Sequence, residues 1–154
     1  MGSGAKPGGD LGDHDDEGMR RLVQEVAGRP LSARDMDDIW GAMVRWRPWV
    51  SGLLPRLRVP YGVLSTIDPI HARILGSLPG AQFHAFSCED RVAKPAPEAF
   101  QLAVARCPVP PERIRYLDDR KENVAVARTE GLDAYLVSSQ EQVHAALGNL
   151  VSEQ

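Results

Sequence analysis

The sequence predicts an α/β protein, a three-layer fold built on a parallel sheet with extra helices at its N-terminal end. Three observations carry that prediction. From Tyr61 onward, short apolar runs alternate with amphipathic helical patterns, the signature of strands joined by helical crossovers. The run Ile114–Leu117 stops at two adjacent acids, Asp118 and Asp119, and a helical pattern begins at once behind them. Upstream, residues 15–57 show helical spacing only. Acids at the carboxyl end of a parallel strand stand where open sheets bind ligands.

Composition narrows the classes. With 154 residues, 43% of them hydrophobic, the chain can bury one core. A formal net charge of −3 without a basic stripe argues against nucleic acid as a partner. Cys88 and Cys107 are too few for a disulfide framework, and nothing resembles a secretion signal, so a cytoplasmic location is expected. No apolar run approaches the ~20 residues that span a bilayer, so no membrane partner is expected.

Residues 1–14, rich in Gly and poor in apolar side chains, read as a flexible arm. Gly2-Ser3-Gly4-Ala5-Lys6 lacks the Gly-Lys-Ser/Thr ending of a phosphate loop and has no strand before it. Met19, Leu22, Val23 and Val26 recur at helical spacing before Gly28. Ser32 is placed to cap a second helix with Met36, Ile39, Trp40 and Met43. Pro48 opens a third with Val50, Leu53, Leu54 and Leu57, and Pro55 inside it predicts a kink or an early end. Trp40, Trp46 and Trp49 read as helix-packing residues or as an aromatic patch for substrate.

Tyr61–Ser65 reads as a buried strand, and Asp68-Pro69 starts a helix through Leu78. Ala81–Ser87 is a second strand, Cys88–Ala96 a polar loop, and Pro97–Cys107 a helix. After a turn at 108–112 come the Ile114 strand, a helix that Gly131 should stop, a strand at Asp133–Val137 and a last helix at 140–150.

Three strand or loop ends thus carry polar groups: Ser65-Thr66, Lys94, and Asp118-Asp119. A hydroxyl, an ammonium and two acids suit a phosphate with its Mg²⁺ ion. Each also has a structural reading: Ser65 as a helix cap, Lys94 as a solvated lysine, the acids as caps at the positive end of a helix. His71 and His84 read as packing residues.

The arrangement resembles the haloacid-dehalogenase-like (HAD-like) hydrolases, a superfamily dominated by Mg²⁺-dependent phosphatases. Val63-Leu64-Ser65-Thr66 resembles its second motif, Lys94-Pro95 with Glu98 and Phe100 its third, and Tyr116–Val124 with Ala127 and Gly131 its fourth. The resemblance covers roughly residues 15–150. It implies a helical cap remnant with its return to the core at 15–58 and a HAD-like core at 59–154. It implies Ser65 and Thr66 as phosphate-binding residues, Lys94 as a catalytic and phosphate-binding residue, Asp118 and Asp119 as Mg²⁺ ligands, and Asn123 as support for the acidic turn. Thr66 stands where many relatives with this cap type carry Asn.

One motif departs. The family's first motif is an apolar strand ending in an Asp nucleophile; Asp10-Leu11-Gly12-Asp13 imitates its spelling, but Lys6-Pro7-Gly8-Gly9 precedes it, and Gly and Pro disfavour a central strand. Asp10 and Asp13 therefore read as tail residues, no nucleophile is assigned, and covalent catalysis and tight Mg²⁺ binding are not expected of this chain. The expectation is a truncated or inactive phosphohydrolase-like protein binding a small phosphorylated molecule, completed by a second copy or another polypeptide. The alternatives are a non-catalytic phosphate-binding or regulatory module and a scaffold that recruits a partner strand. The first central strand of the sheet should be missing, and its slot should close, admit water or be filled.

Overall fold

A computed structural model of the chain describes residues 16–43, 47–75, 78 and 80–152. The expected arm at 1–14, with Asp10 and Asp13, lies outside the described residues, as does Trp46. Two compact units divide the chain. The first takes in the described parts of Met1–Arg45, Ser65–Pro79 and Phe86–Ala93; the second those of Trp46–Leu64, Gly80–Ala85 and Lys94–Gln154.

In the first unit, α1 (Asp16–Ala27) ends at Gly28, whose φ of +65° suits the turn. Arg20 on α1 donates to the Leu31 carbonyl at 2.9 Å, and Gln24 accepts from the Leu31 N–H at 2.8 Å, fixing the chain's path between helices. Ser32 caps α2 (Ala33–Met43) as predicted: its Oγ accepts from Asp35 N at 3.1 Å, while the Asp35 carboxylate accepts from Ser32 N at 2.7 Å. Met19, Leu31, Met36 and Trp40 bury against Ile70 of α4 (Pro69–Leu75), forming the core of this unit. Trp40 is therefore a packing residue.

In the second unit, α3 (Pro48–Leu53) gives way to a 3₁₀ turn at Leu54–Arg56 and an extended Leu57. Pro55 inside that turn supplies no N–H to continue the helix, so the helix ends early, as its position predicts. Leu57 then bridges Val151 in antiparallel fashion, and Arg56 accepts from Ser152 N at 2.9 Å through its carbonyl. Leu53, Leu147 and Val151 form one small core here.

Strands β1 (Tyr61–Ser65) and β2 (Ala81–Phe86) pair with each other, and β3 (Arg115–Asp118) pairs in parallel with β4 (Asp133–Leu136), Arg115 opposite Asp133 and Asp118 opposite Leu136. The four expected strands form two pairs, and among the described residues no backbone ladder joins β1 to β3, the two strands between which the missing central strand was expected. Side chains do what the ladder does not. Leu64 of β1 packs against the cluster of Phe100, Val124, Ala127, Leu132 and Ala134, which Tyr116 of β3 also joins.

Several details differ from the sequence reading. Ser87 leaves β2 and starts a short helix, α5 (Ser87–Asp90), where a loop was expected. Its buried Oγ accepts from Ile67 N at 2.9 Å and donates to the Ile67 carbonyl at 3.2 Å, which removes it from the strand. Helix α4 is described to Leu75, and residues 76 and 77 of its expected course lie outside the described residues. A 3₁₀ turn at Pro111–Arg113 occupies the end of the expected turn. The last helix, α8 (Gln140–Leu147), tightens to 3₁₀ geometry over Gly148–Leu150. Helix α6 (Pro97–Ala105) starts where predicted and ends two residues before Cys107, α7 (Lys121–Thr129) stands where predicted, and Gly131, at φ +87°, stops α7.

Candidate functional site

Asp118 closes β3 and is buried, and the sequence around it supplies four donors to its carboxylate. Its backbone neighbour Arg120 turns the chain into α7 and donates its N–H to Oδ1 at 2.9 Å. Asn123, one helical turn on and buried, donates Nδ2 to both oxygens, at 3.0 and 3.1 Å. Tyr116 lies two residues back on β3, hence on the same face, and its hydroxyl donates to Oδ2 at 2.5 Å. Lys94, just before α6, donates Nζ to Oδ2 at 2.8 Å. The pair is well shielded, with side-chain exposures of 14% for Lys94 and 6% for Asp118.

Tyr116 organises this cluster. Phe100 of α6 meets its ring edge-on, with centroids 5.5 Å apart, and the Lys94 ammonium lies 5.8 Å from the same ring's centroid. Burial raises the Tyr116 phenol far above its ordinary value, and its hydrogen bond to Asp118 and the charges of Asp118 and Asp119 push it the same way. It stays a donor at any physiological pH. Burial alone would raise the Asp118 carboxyl; hydrogen bonds from Lys94 and Tyr116, the Lys94 charge and the Arg120 N–H outweigh it and hold the acid below its ordinary range. Asp118 is thus a carboxylate, matched by one ammonium.

Of the residues singled out in the sequence, Lys94, Asp118 and Asn123 come together. Asp119 is exposed beside them. Ser65 and Thr66 stand at the carboxyl end of β1, in the first unit, whereas Lys94 and Asp118 belong to the second. Tyr116 and Arg120 lie within the motif resemblance without a role of their own there; the period-2 alternation of β3 is the signal that points Tyr116 at Asp118. Burial raises both thiols, with the Glu89 charge adding to the effect at Cys88, so neither Cys88 nor Cys107 is an activated nucleophile.

The first unit holds a second polar cluster. Asp68 caps α4 through the His71 N–H at 3.0 Å, and its carboxylate also meets His71 Nδ1 at 2.5 Å and Trp40 Nε1 at 3.2 Å from each oxygen. His71 is thereby tied to its own helix end, in line with a packing role. His84 lies within β2, where its carbonyl accepts from Arg106 at 2.8 Å.

A strand-end carboxylate backed by a crossover helix defines the class: a parallel α/β protein with an acidic turn at the sheet edge. Comparison with solved structures specifies the fold. The chain is similar to the HAD family enzyme BT-2542 from Bacteroides thetaiotaomicron, with a TM-score of 0.79 and 22% identity over 90% of this chain and 74% of that one. Against the same enzyme in complex with magnesium and inorganic phosphate the TM-score is 0.77, with 23% identity over 86% and 74% of the two chains. Against a predicted HAD-like family hydrolase from Porphyromonas gingivalis it is 0.72, with 22% identity over 96% and 78%. The fold is therefore HAD-like. No protein-family model and no curated protein matches the sequence.

The donor set around Asp118 does not suit Mg²⁺ as it stands. Among the described residues no three His, Cys, Asp or Glu side chains group to hold a metal ion. The one buried acid of the turn already has its ~4 acceptor positions met by Lys94, Tyr116, Arg120 and Asn123. Mg²⁺ asks for near-octahedral oxygen ligation and gains nothing from an ammonium in its ligand sphere.

No helix among the described residues is long and apolar enough to cross a membrane.

Proposed function

We propose that this chain is a phosphate-ligand-binding protein of the HAD-like hydrolase kind. Its parent reaction is hydrolysis of a small phosphate monoester, and these 154 residues bind the ligand without turning it over. The single observation that carries the reading is the shielded Lys94–Asp118 pair at the end of β3, 2.8 Å apart. An ammonium held beside Asp118 carries the positive charge that suits the oxygens of a phosphoryl group. The HAD-like fold supports the reading, as does the magnesium and inorganic phosphate found with BT-2542. Asn123 would hold Asp118 in place.

Hydrolysis in such a protein needs an attacking carboxylate, and the sequence assigns none. On the order of 10⁶ in turnover is lost when a hydrolase of another class is deprived of its nucleophile. Calorimetry with inorganic phosphate tests the binding: saturable heat in the wild type that disappears in Lys94→Ala supports it, and no heat in either sinks it. Release of phosphate from an aryl phosphate tests the silence; robust turnover abolished by Asp118→Ala would overturn it.

A further inference from the structure

The same acid that the sequence offers as a metal ligand is the acid that the protein's own donors have filled. Lys94 Nζ at 2.8 Å and the Tyr116 hydroxyl at 2.5 Å take Oδ2, while Arg120 N at 2.9 Å and Asn123 Nδ2 at 3.0 Å take Oδ1. These donors are not adventitious surface groups. Asn123 is buried, Tyr116 is wedged by Phe100, and the Arg120 N–H is fixed by the turn into α7. A divalent ion binding Asp118 directly must expel at least one of them and then sit beside a shielded ammonium of its own sign. We propose that Lys94 is the resident cation of Asp118 and that this chain takes its anionic ligand without a divalent metal ion.

The proposal concerns the site of the phosphate reading, yet it is decided without phosphate. MgCl₂ alone is titrated calorimetrically into the full chain, into Lys94→Met, and into Lys94→Met combined with Asp118→Asn. The expected result is no saturable heat in the wild type at millimolar Mg²⁺, a saturable signal gained in Lys94→Met, and its loss in the double variant. Saturable Mg²⁺ binding by the wild type that Asp118→Asn removes would overturn the proposal. So would a folded Lys94→Met that gains nothing, since Lys94 would then not be what closes the acid. Should Lys94→Met fail to fold, the carboxyl ¹³C resonance of Asp118 in the wild type decides: unmoved between EDTA and Mg²⁺ supports the assignment, and a saturable Mg²⁺-dependent shift refutes it. A parallel titration with inorganic phosphate, in EDTA and in Mg²⁺, should give the same affinity in both, and binding only with Mg²⁺ counts against the proposal. No phosphate heat in either buffer removes the phosphate reading and leaves the Mg²⁺ arms to decide this one.

Discussion

Trp40 Nε1 lies 3.2 Å from each carboxylate oxygen of Asp68, 28 residues further along the chain. The contact ties α2 to the start of α4 inside the first unit, where both residues are buried. Trp40→Phe keeps most of the apolar contact with Met36 and Ile70 but removes an N–H from a buried carboxylate. A hydrogen bond to a charged group contributes about 1.5–3 kcal/mol, and a loss of that size is expected in urea denaturation. A change below about 0.5 kcal/mol would show that Asp68 is satisfied by His71 alone.

Acid should weaken the second unit through Asp118. Its folded-state value lies below the ordinary 3.8, so the unfolded chain takes up the proton first as pH falls. The stabilisation is therefore fully present above the unfolded value and is lost as pH drops through the folded one. Thermal unfolding followed from pH 6 to pH 2 should show a falling midpoint in the wild type. Asp118→Asn should flatten that limb, and an unchanged slope would remove Asp118 as its source.

Much of the local architecture is written in local chemistry. Ser32 with Asp35 three residues on, Pro55 in mid-helix and Gly131 after α7 each mark a boundary through a short-range rule, and each boundary stands where the rule puts it. The contacts that tie distant segments carry no such signal. Ser87 reads as the last residue of a strand until Ile67, 20 residues away, claims its hydroxyl. Strand pairing is similarly non-local: alternation announces four strands but does not by itself say which of them pair. At the site, Lys94, Asp118 and Asn123 were legible as residue types in order, whereas the number of donors on one carboxylate is a property of three dimensions only.

Phe100 is fully buried, with Val124, Ala127 and Leu132 around it and Tyr116 against its ring. Phe100→Ala should cost about 3–5 kcal/mol, the usual range for emptying a buried aromatic site. Leu136 of β4, by contrast, is 52% exposed, and Leu136→Ala should cost far less. Chemical denaturation of both variants checks the contrast; equal losses would mean that the cluster around Phe100 is not the unit's core.

Tyr116→Phe isolates one oxygen atom. The phenyl ring keeps its edge contact with Phe100 and its face toward Lys94, while Asp118 Oδ2 loses the donor at 2.5 Å. Two effects follow. Stability should fall by about 1.5–3 kcal/mol, since the acceptor is a buried charge. The Asp118 carboxyl should also titrate nearer its ordinary value, because one of the hydrogen bonds holding it down is gone, and so the acid-dependent loss of stability should be smaller and level off at higher pH than in the wild type, its onset being set by the unfolded chain. Carboxyl ¹³C NMR reads the second effect directly. A variant that loses stability while Asp118 titrates as before would place the cost in packing, and would show that the hydroxyl of Tyr116 does not hold the acid.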